Sequence, residues 1–352
     1  MKKISVMFIF VFFCLFQSMA FSQIVIPPNV TVALQPDYST LPFVTNEEFN
    51  IIPDDGTDQT SNIQAALDSF QGKGGIVWLK PGVYHITQLV WPRSVELRGA
   101  GTGSSPHQGT IFIQLDGVNA SAIVTDNTLP VTEFMHWSKL NNFQLRKISG
   151  STDTLGSGIE FFSRTGETMR VSHLMIVGFP EDGIRIGEGG TPGYFQHLNV
   201  SNNGRYGINV NKHVGSGVRY HGMTFDSISG DNNNDALINL QSVGTLGEMI
   251  VLTNIKSETV LANKQQSIIR LQDIFASGIS INGVTALAFG SGVGASNTVV
   301  EITGQFYGTL RLQSVGYEGM VYAMTRSGTN IPIEELNEGL GFVYPAKVWR
   351  VF

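Results

Sequence analysis

Beyond Ser138 the chain alternates apolar and polar positions in short runs separated by glycine, asparagine and other turn residues. Two adjacent stretches, His173 to Ile186 and His197 to Val210, show the unit most clearly. In each, an alternating run (Leu174, Ile176; Leu198, Val200) leads through a polar bend and a Gly-Ile step into a second run (Ile184, Ile186; Ile208, Val210). A period of two sends successive side chains to opposite faces, so every run predicts a half-buried strand. The unit recurs every roughly 24 to 31 residues, too short to bury its own apolar face, so it must stack on copies of itself. First strands centre near Leu145, Ile176, Val200, Phe225, Ile255, Val284 and Val315. Gly158-Ile, Gly183-Ile and Gly207-Ile open three of the second strands; in the next coil Ala236, Ile238 and Leu240 alternate inward, which shifts the register by one residue. The pattern predicts an all-β chain: a single-stranded right-handed parallel β-helix of about seven repeat coils.

Upstream the period changes. Ile63, Ala66, Leu67 and Phe70 fall at i, i+3, i+4 and i+7, which predicts a helix with one apolar stripe, capped by Thr60 or Ser61 and broken by the glycines of 72–75. Strands are expected over 76–79, 80–86 and 95–101. Asp54-Asp-Gly-Thr-Asp58, the helix, Gly74-Gly75, Pro81-Gly-Val-Tyr84 and Leu97-Arg-Gly-Ala-Gly101 together resemble the N-terminal module of the pectate-lyase-like superfamily, nearest its rhamnogalacturonase/epimerase-like branch. The resemblance covers about residues 50–103 in motif and the rest in architecture. It implies that the helix caps the first coil, where apolar core and unpaired backbone would otherwise meet water. It implies the fold more specifically than the activity, because chemistry resides in a site and not in a coil.

The ends of the chain read differently. Met1-Lys-Lys followed by the apolar run 4–16, with small residues at Ala20 and Ser22, predicts a signal peptide over 1–22 and a secreted protein, periplasmic or extracellular. Residues 23–49 read as an extended leader and 50–352 as the solenoid. Within it, 50–103 is the N-terminal module, 138–325 the repeat coils and 330–352, where the repeat is lost, a C-terminal cover or a strand against the last coil. The one cysteine, Cys14, lies in the cleaved segment, which excludes disulfide, thiolate-metal and cysteine-nucleophile chemistry from the mature chain. A net charge of −6 with no dense Lys/Arg run excludes nucleic acid and anionic membrane as partners.

Parallel coils stack about 4.8 Å apart, which turns register into distance. Pro180-Glu-Asp-Gly-Ile184 resembles a site of the polygalacturonase-like family 28 hydrolases, with Asp182 as its acid. The matching places hold Arg205-Tyr206 one coil on and Asn234-Asp235 two coils on, so Asp182 and Asp235 are expected roughly 10 Å apart. That lies just outside the span of about 6.5–9.5 Å used by inverting glycosidases. Asp182, Arg205, Tyr206 and Asp235 are the candidate catalytic residues; Lys212, His213, Tyr220 and His221 are candidates for substrate binding. A guanidinium and a phenol suit recognition of an acidic sugar, and either serves as base if its pKa is lowered. The chain departs from family 28 in carrying Arg205-Tyr206 for an Asp-Asp pair and in lacking Gly-His-Gly and Arg-Ile-Lys. Tyr206-Gly-Ile-Asn209 resembles the mannuronan epimerase motif, with Asn209 in place of the acid and without Pro-His. Glu160, Arg185 and Asn209 also read as a plain cross-strand surface row, and Asn202-Asn203 and Asn232 to Asn234 as turn ladders. Asp231 to Asp235 spaces oxygens like a calcium loop but continues with Ala236 and Ser242, so a loose Ca2+ site stays open and no other cofactor is expected.

These readings lead to a secreted polysaccharide-active enzyme, a lyase or glycoside hydrolase on an acidic, pectin-like glycan. The alternative is a non-catalytic β-helix acting as a glycan-binding or adhesin-type surface protein. The polysaccharide is the partner in both, and the oligomeric state is left open.

Overall fold

The computed structural model describes residues 42–351 except 104, 106, 127–133, 163, 166–167, 188–192, 212–221, 242–248, 260–263, 275–277, 289–297, 307–308, 319–321, 328–332 and 338–348. The candidates Lys212, His213, Tyr220 and His221, and the signal peptide, lie outside the described residues.

Every pair of strands in the two large sheets is parallel, and the chain crosses between the sheets once per turn. One sheet has 13 strands and the other 10 among the described residues. Each strand pairs with its equivalents one turn before and one turn after. On the shorter sheet Ile159, Ile184, Ile208, Ile238, Ile269 and Val300 stand in one in-register row. On the longer sheet Phe143, Leu174, Leu198 and Ile228 do the same. Both rows are buried and merge into a single core. Large aromatics fill its axis: Trp91, Phe161, Phe195 and Phe225 follow one another at centroid separations of 6.1, 6.0 and 5.1 Å. The Gly-Ile step has a steric origin, since a Cβ on Gly183 would collide with Val200 of the next turn. The chain is therefore a parallel β-helix.

Several boundaries differ from the sequence reading. Phe43–Val44, placed in the leader, pairs with Gly75–Trp78, so the body starts before residue 50. Phe225 aligns with Phe195 and not with Val200, because the turn before it is longer. The C-terminal segment continues the solenoid: Ile333–Asn337 and Trp349–Val351 add a parallel strand to each sheet. The helix spans Thr60–Asp68 with Ile63, Ala66 and Leu67 inward, but neither predicted cap serves it. Asp58 accepts from the Thr60 N–H at 2.9 Å instead, while the Thr60 hydroxyl accepts from the Thr87 N–H at 2.7 Å.

The helix also closes a sheet edge. Leu89–Trp91 is the terminal strand of the shorter sheet. The Gln64 amide pairs with both backbone groups of Val90 on it, donating to the carbonyl at 2.9 Å and accepting from the N–H at 2.8 Å. One side chain thus stands in for a missing strand.

Two columns of polar residues mark the bends. Asn203 donates to Asn233 at 2.9 Å and Asn233 to Gln265 at 3.0 Å, a buried amide ladder that also serves the backbone of the bend. On the longer sheet seven successive turns bend at a residue with positive φ: Asn142 (60°), His173 (53°), His197 (53°), Ser227 (56°), Asn254 (54°), Gly283 (73°) and Ser314 (53°). The pairing puts these seven in one row along the axis.

Two stability tests follow. Gln64→Leu removes both bonds to Val90 and should cost about 1–2 kcal/mol in urea unfolding, with self-association rising as the edge opens. Burial pushes the Tyr84 phenol up to about 12, against hydrogen bonding by Asn46. Its folded pKa lies above the unfolded value of about 10, so its contribution is intact below pH 10 and disappears as pH rises through 12. Alkaline unfolding of Tyr84→Phe should be shallower across that window.

Candidate functional site

The shorter sheet and the bends that lead into it carry the candidate residues. The register that aligns Ile184 with Ile208 and Ile238 sets Asp182 beside Tyr206 and Ala236, and Glu181 beside Arg205 and Asp235. Backbone bonds agree: the Arg205 N–H donates to the Glu181 carbonyl at 2.8 Å and the Asp235 N–H to the Arg205 carbonyl at 2.9 Å. Asp235 thus matches Arg205 and Glu181, and is one place removed from the Asp182 position. The cause is Leu237, which occupies the position that Gly183 and Gly207 hold in the two preceding turns.

Asp182 is fully buried. Both of its oxygens are taken by Arg205, with Nε donating to Oδ1 at 2.8 Å and Nη2 to Oδ2 at 2.6 Å. The Tyr206 N–H adds 3.3 Å to Oδ1 and the Asn209 amide 2.9 Å to Oδ2. Asn239 in turn donates to Asn209 at 2.9 Å, and its own Oδ1 is buried without a donor. A carboxylate so enclosed is an anchor for Arg205 and has no lone pair aimed at a ligand. The other end of Arg205 reaches the surface, with 40% of its side chain exposed and Glu181 3.8 Å away. Hydrogen bonding to Asp182 raises the Arg205 pKa further, so it remains a cation.

Tyr206 bridges to the next turns. Its hydroxyl accepts from Arg270 Nη1 at 3.3 Å. Arg270 holds Asp235 through two nitrogens, each at 2.7 Å, and donates from Nε to Glu301 at 2.8 Å. Ser267 also donates to Glu301. The guanidinium carbons of Arg205 and Arg270 lie 5.6 and 5.9 Å from the Tyr206 ring centre, flanking it. Burial, followed by the nearby Asp235 charge, pushes the Tyr206 phenol up. Burial alone would lower Arg270, but its bonds to Asp235 and Glu301 outweigh that and raise it. The lowered pKa that would make Arg205 or Tyr206 a base is absent; both move the other way.

The structure therefore joins all four catalytic candidates in one network, divided into a sealed half (Asp182) and a half that reaches solvent (Arg205, Tyr206, Asp235). Sequence reading missed Arg270 and Glu301. Their signal was present, since the row Glu160, Arg185, Asn209 continues in register through Asn239, Arg270 and Glu301. The oxygens of Asp231 to Asp235 do not converge on one point. Asp231 accepts from the Glu258 N–H, Asn233 lies in the amide ladder, and Asp235 faces Arg270. Of the aromatic residues, Trp91 is buried with its indole N–H on the Val95 carbonyl, while Trp137 is 37% exposed.

Residues 43–243 match the family described as rhamnogalacturonase A/epimerase, pectate lyase-like. The chain belongs to that family. The family match ends before Arg270 and Glu301, so the last two members of the network lie beyond it. No curated protein sequence is significantly similar to the chain. Among solved structures, the A-module of the mannuronan C-5 epimerase AlgE4 of Azotobacter vinelandii superposes with a TM-score of 0.53 at 13% identity, covering 88% of this chain and 100% of that one. The AlgE6 A-module of the same organism gives 0.53 at 14%, covering 88% and 97%. Tailspike protein 2 of the Escherichia coli O157:H7 bacteriophage CAB120 gives 0.52 at 14%, covering 81% and 34%. At such identities the likeness is one of fold, and it agrees with the family's parallel β-helix.

The buried anchor makes a measurable claim. Arg205→Ala leaves the Asp182 charge with only neutral donors and should cost about 3 kcal/mol in chemical unfolding, whereas Asp182→Asn combined with Arg205→Gln should recover most of that loss.

Proposed function

We propose that this protein acts on an acidic polysaccharide laid along the row Arg205, Tyr206 and Arg270, and that the reaction is elimination in preference to hydrolysis. The observation carrying this reading is the phenol of Tyr206 within 5.6 Å of the Arg205 guanidinium on its own turn and 5.9 Å of the Arg270 guanidinium two turns on. Arg205 has a hydrogen-bonding face left for a uronate carboxylate. Neutralising that carboxylate acidifies the adjacent C–H, which is the difficult step of β-elimination. The proton leaving C5 passes to Glu181, whose Oε1 lies 3.8 Å from Arg205 Nη2, as the C4–O bond breaks and Tyr206, held protonated, donates to the departing glycosidic oxygen. Hydrolysis needs two working carboxyl groups across the bond. Asp182 is sealed, and Asp235 and Glu301 both serve Arg270. The family description and the mannuronan epimerase modules of the same fold support a polysaccharide as the partner.

A second reading, binding without turnover, is favoured by the upward shifts of both Arg205 and Tyr206, which leave neither of them as a ready base. Incubation with pectin, polygalacturonate and alginate decides between them. Elimination creates an unsaturated uronate seen by its ultraviolet absorbance, and Tyr206→Phe should reduce its rate by about 10²- to 10⁴-fold. Reducing ends without that absorbance would indicate hydrolysis and sink the proposal. Bound polymer with neither signal would establish the second reading.

A further inference from the structure

The longer sheet carries a groove that the Tyr206 row does not use. It lies along the row of positive-φ corners and encloses about 350 Å³, lined by His173, Met175, His197, Asn199, Ser227 and Ser229 with Thr102 at one side. The segment 99–101 walls one end, its Gly99 and Gly101 N–H groups donating to the carbonyls of Asn141 and Asn142 at 2.9 Å each. His173 and His197 stack across neighbouring turns, with ring centres 4.7 Å apart and planes within 7°.

Positive φ is uncommon outside glycine, and Asn, Asp and His adopt it more readily than other residues; Asn142, Ser227, Asn254, Gly283 and Ser314 occupy the equivalent corners. The corner geometry therefore belongs to the coil, and what sets these two turns apart is a pair of exposed, stacked imidazoles beside a cavity. The lining is also distinctive in charge. Among the described residues, no lysine, arginine, aspartate or glutamate lines the cavity. The Asp226 carboxylate, next in the chain to Ser227, is occupied by Thr253 at 2.6 Å and Asn254 at 3.0 Å. An anionic sugar would find no fixed cation there, in contrast with the Arg205–Arg270 row.

We propose that this groove is a second carbohydrate site, specific for uncharged sugars, in which the imidazole edges of His173 and His197 and the amide of Asn199 read hydroxyl groups. A neutral imidazole offers one donor and one acceptor, and burial together with the adjacent His197 lowers the His173 pKa, which favours that form there. Asn199 donates to Ser229 at 3.1 Å and accepts from Ser201 at 2.9 Å, which leaves one N–H and one lone pair for a ligand. Because the imidazoles recur once per turn, a linear polymer with a hydroxyl on every ring can meet both. Met175 supplies an apolar surface for a sugar C–H face.

The test is calorimetric titration of the full chain with cellohexaose, β-1,4-galactohexaose, xylohexaose and mannohexaose, with a polygalacturonate hexamer as the charged control. Histidine-selective NMR runs alongside. At least one neutral hexasaccharide should bind and shift the His173 and His197 signals. His173→Asn combined with His197→Asn should weaken it by at least about tenfold. Asparagine suits the corner backbone, so this variant should melt at or above the parent temperature and retain any action at the Tyr206 row. Tyr206→Phe should leave the binding unchanged. The proposal is overturned if no neutral hexasaccharide binds, if the charged control binds more tightly, or if the double variant stays within about twofold of the parent.

Discussion

The hydrogen-bonded ladder between parallel turns is the interaction on which everything else in this protein depends. Each turn hands its unpaired backbone groups to the next, and this forces equivalent residues into rows one strand-spacing apart. Once Ile184 lies on Ile208 and Ile208 on Ile238, the outward neighbours have no freedom of partner. Glu160 must meet Arg185, and Arg270 must meet Glu301. The same ladder makes the two ends the weak points, and the Gln64 amide shows how one end is finished without another strand.

Charge is handled in pairs whose members play unequal parts. Burying Asp182 outright is tolerable only because four donors converge on it, and the outcome is a guanidinium with little remaining freedom. Preorganising a cation in this way avoids the entropy cost of fixing a long side chain when a ligand arrives. Arg270 receives equivalent treatment from Asp235 and Glu301. The phenol beside them is kept in its protonated state by burial and by the nearby Asp235 charge, against the opposing pull of Arg270. On the other sheet no such pair is found among the described residues that line the groove, so one coil presents two surfaces of different chemistry.

Much of this was legible in residue order. The alternation of His173 to Ile186 and His197 to Val210 dictates strands, their common unit dictates stacking, and Ile63, Ala66, Leu67 and Phe70 dictate a capping helix. The amide ladders at Asn203 and Asn233 were readable as well, because asparagine at a tight bend has few other uses. The two histidines that begin those repeats aligned in the sequence, yet nothing local marked them as a corner facing a cavity.

Residue order therefore settles the coil itself, because periodicity and glycine placement act over a few residues and survive in any environment. The direction and company of each polar side chain came only with the assembled solenoid. Asp182 looked like an acid and is an anchor, since its enclosure depends on Arg205 and Asn209 from the following turn. Asp235 shifted by one place because Leu237 fills a glycine position. Arg270 joined the site from sixty-odd residues beyond Tyr206. Such relations are made by packing across turns, and a linear string holds the register that produces them but not the burial that gives each group its role.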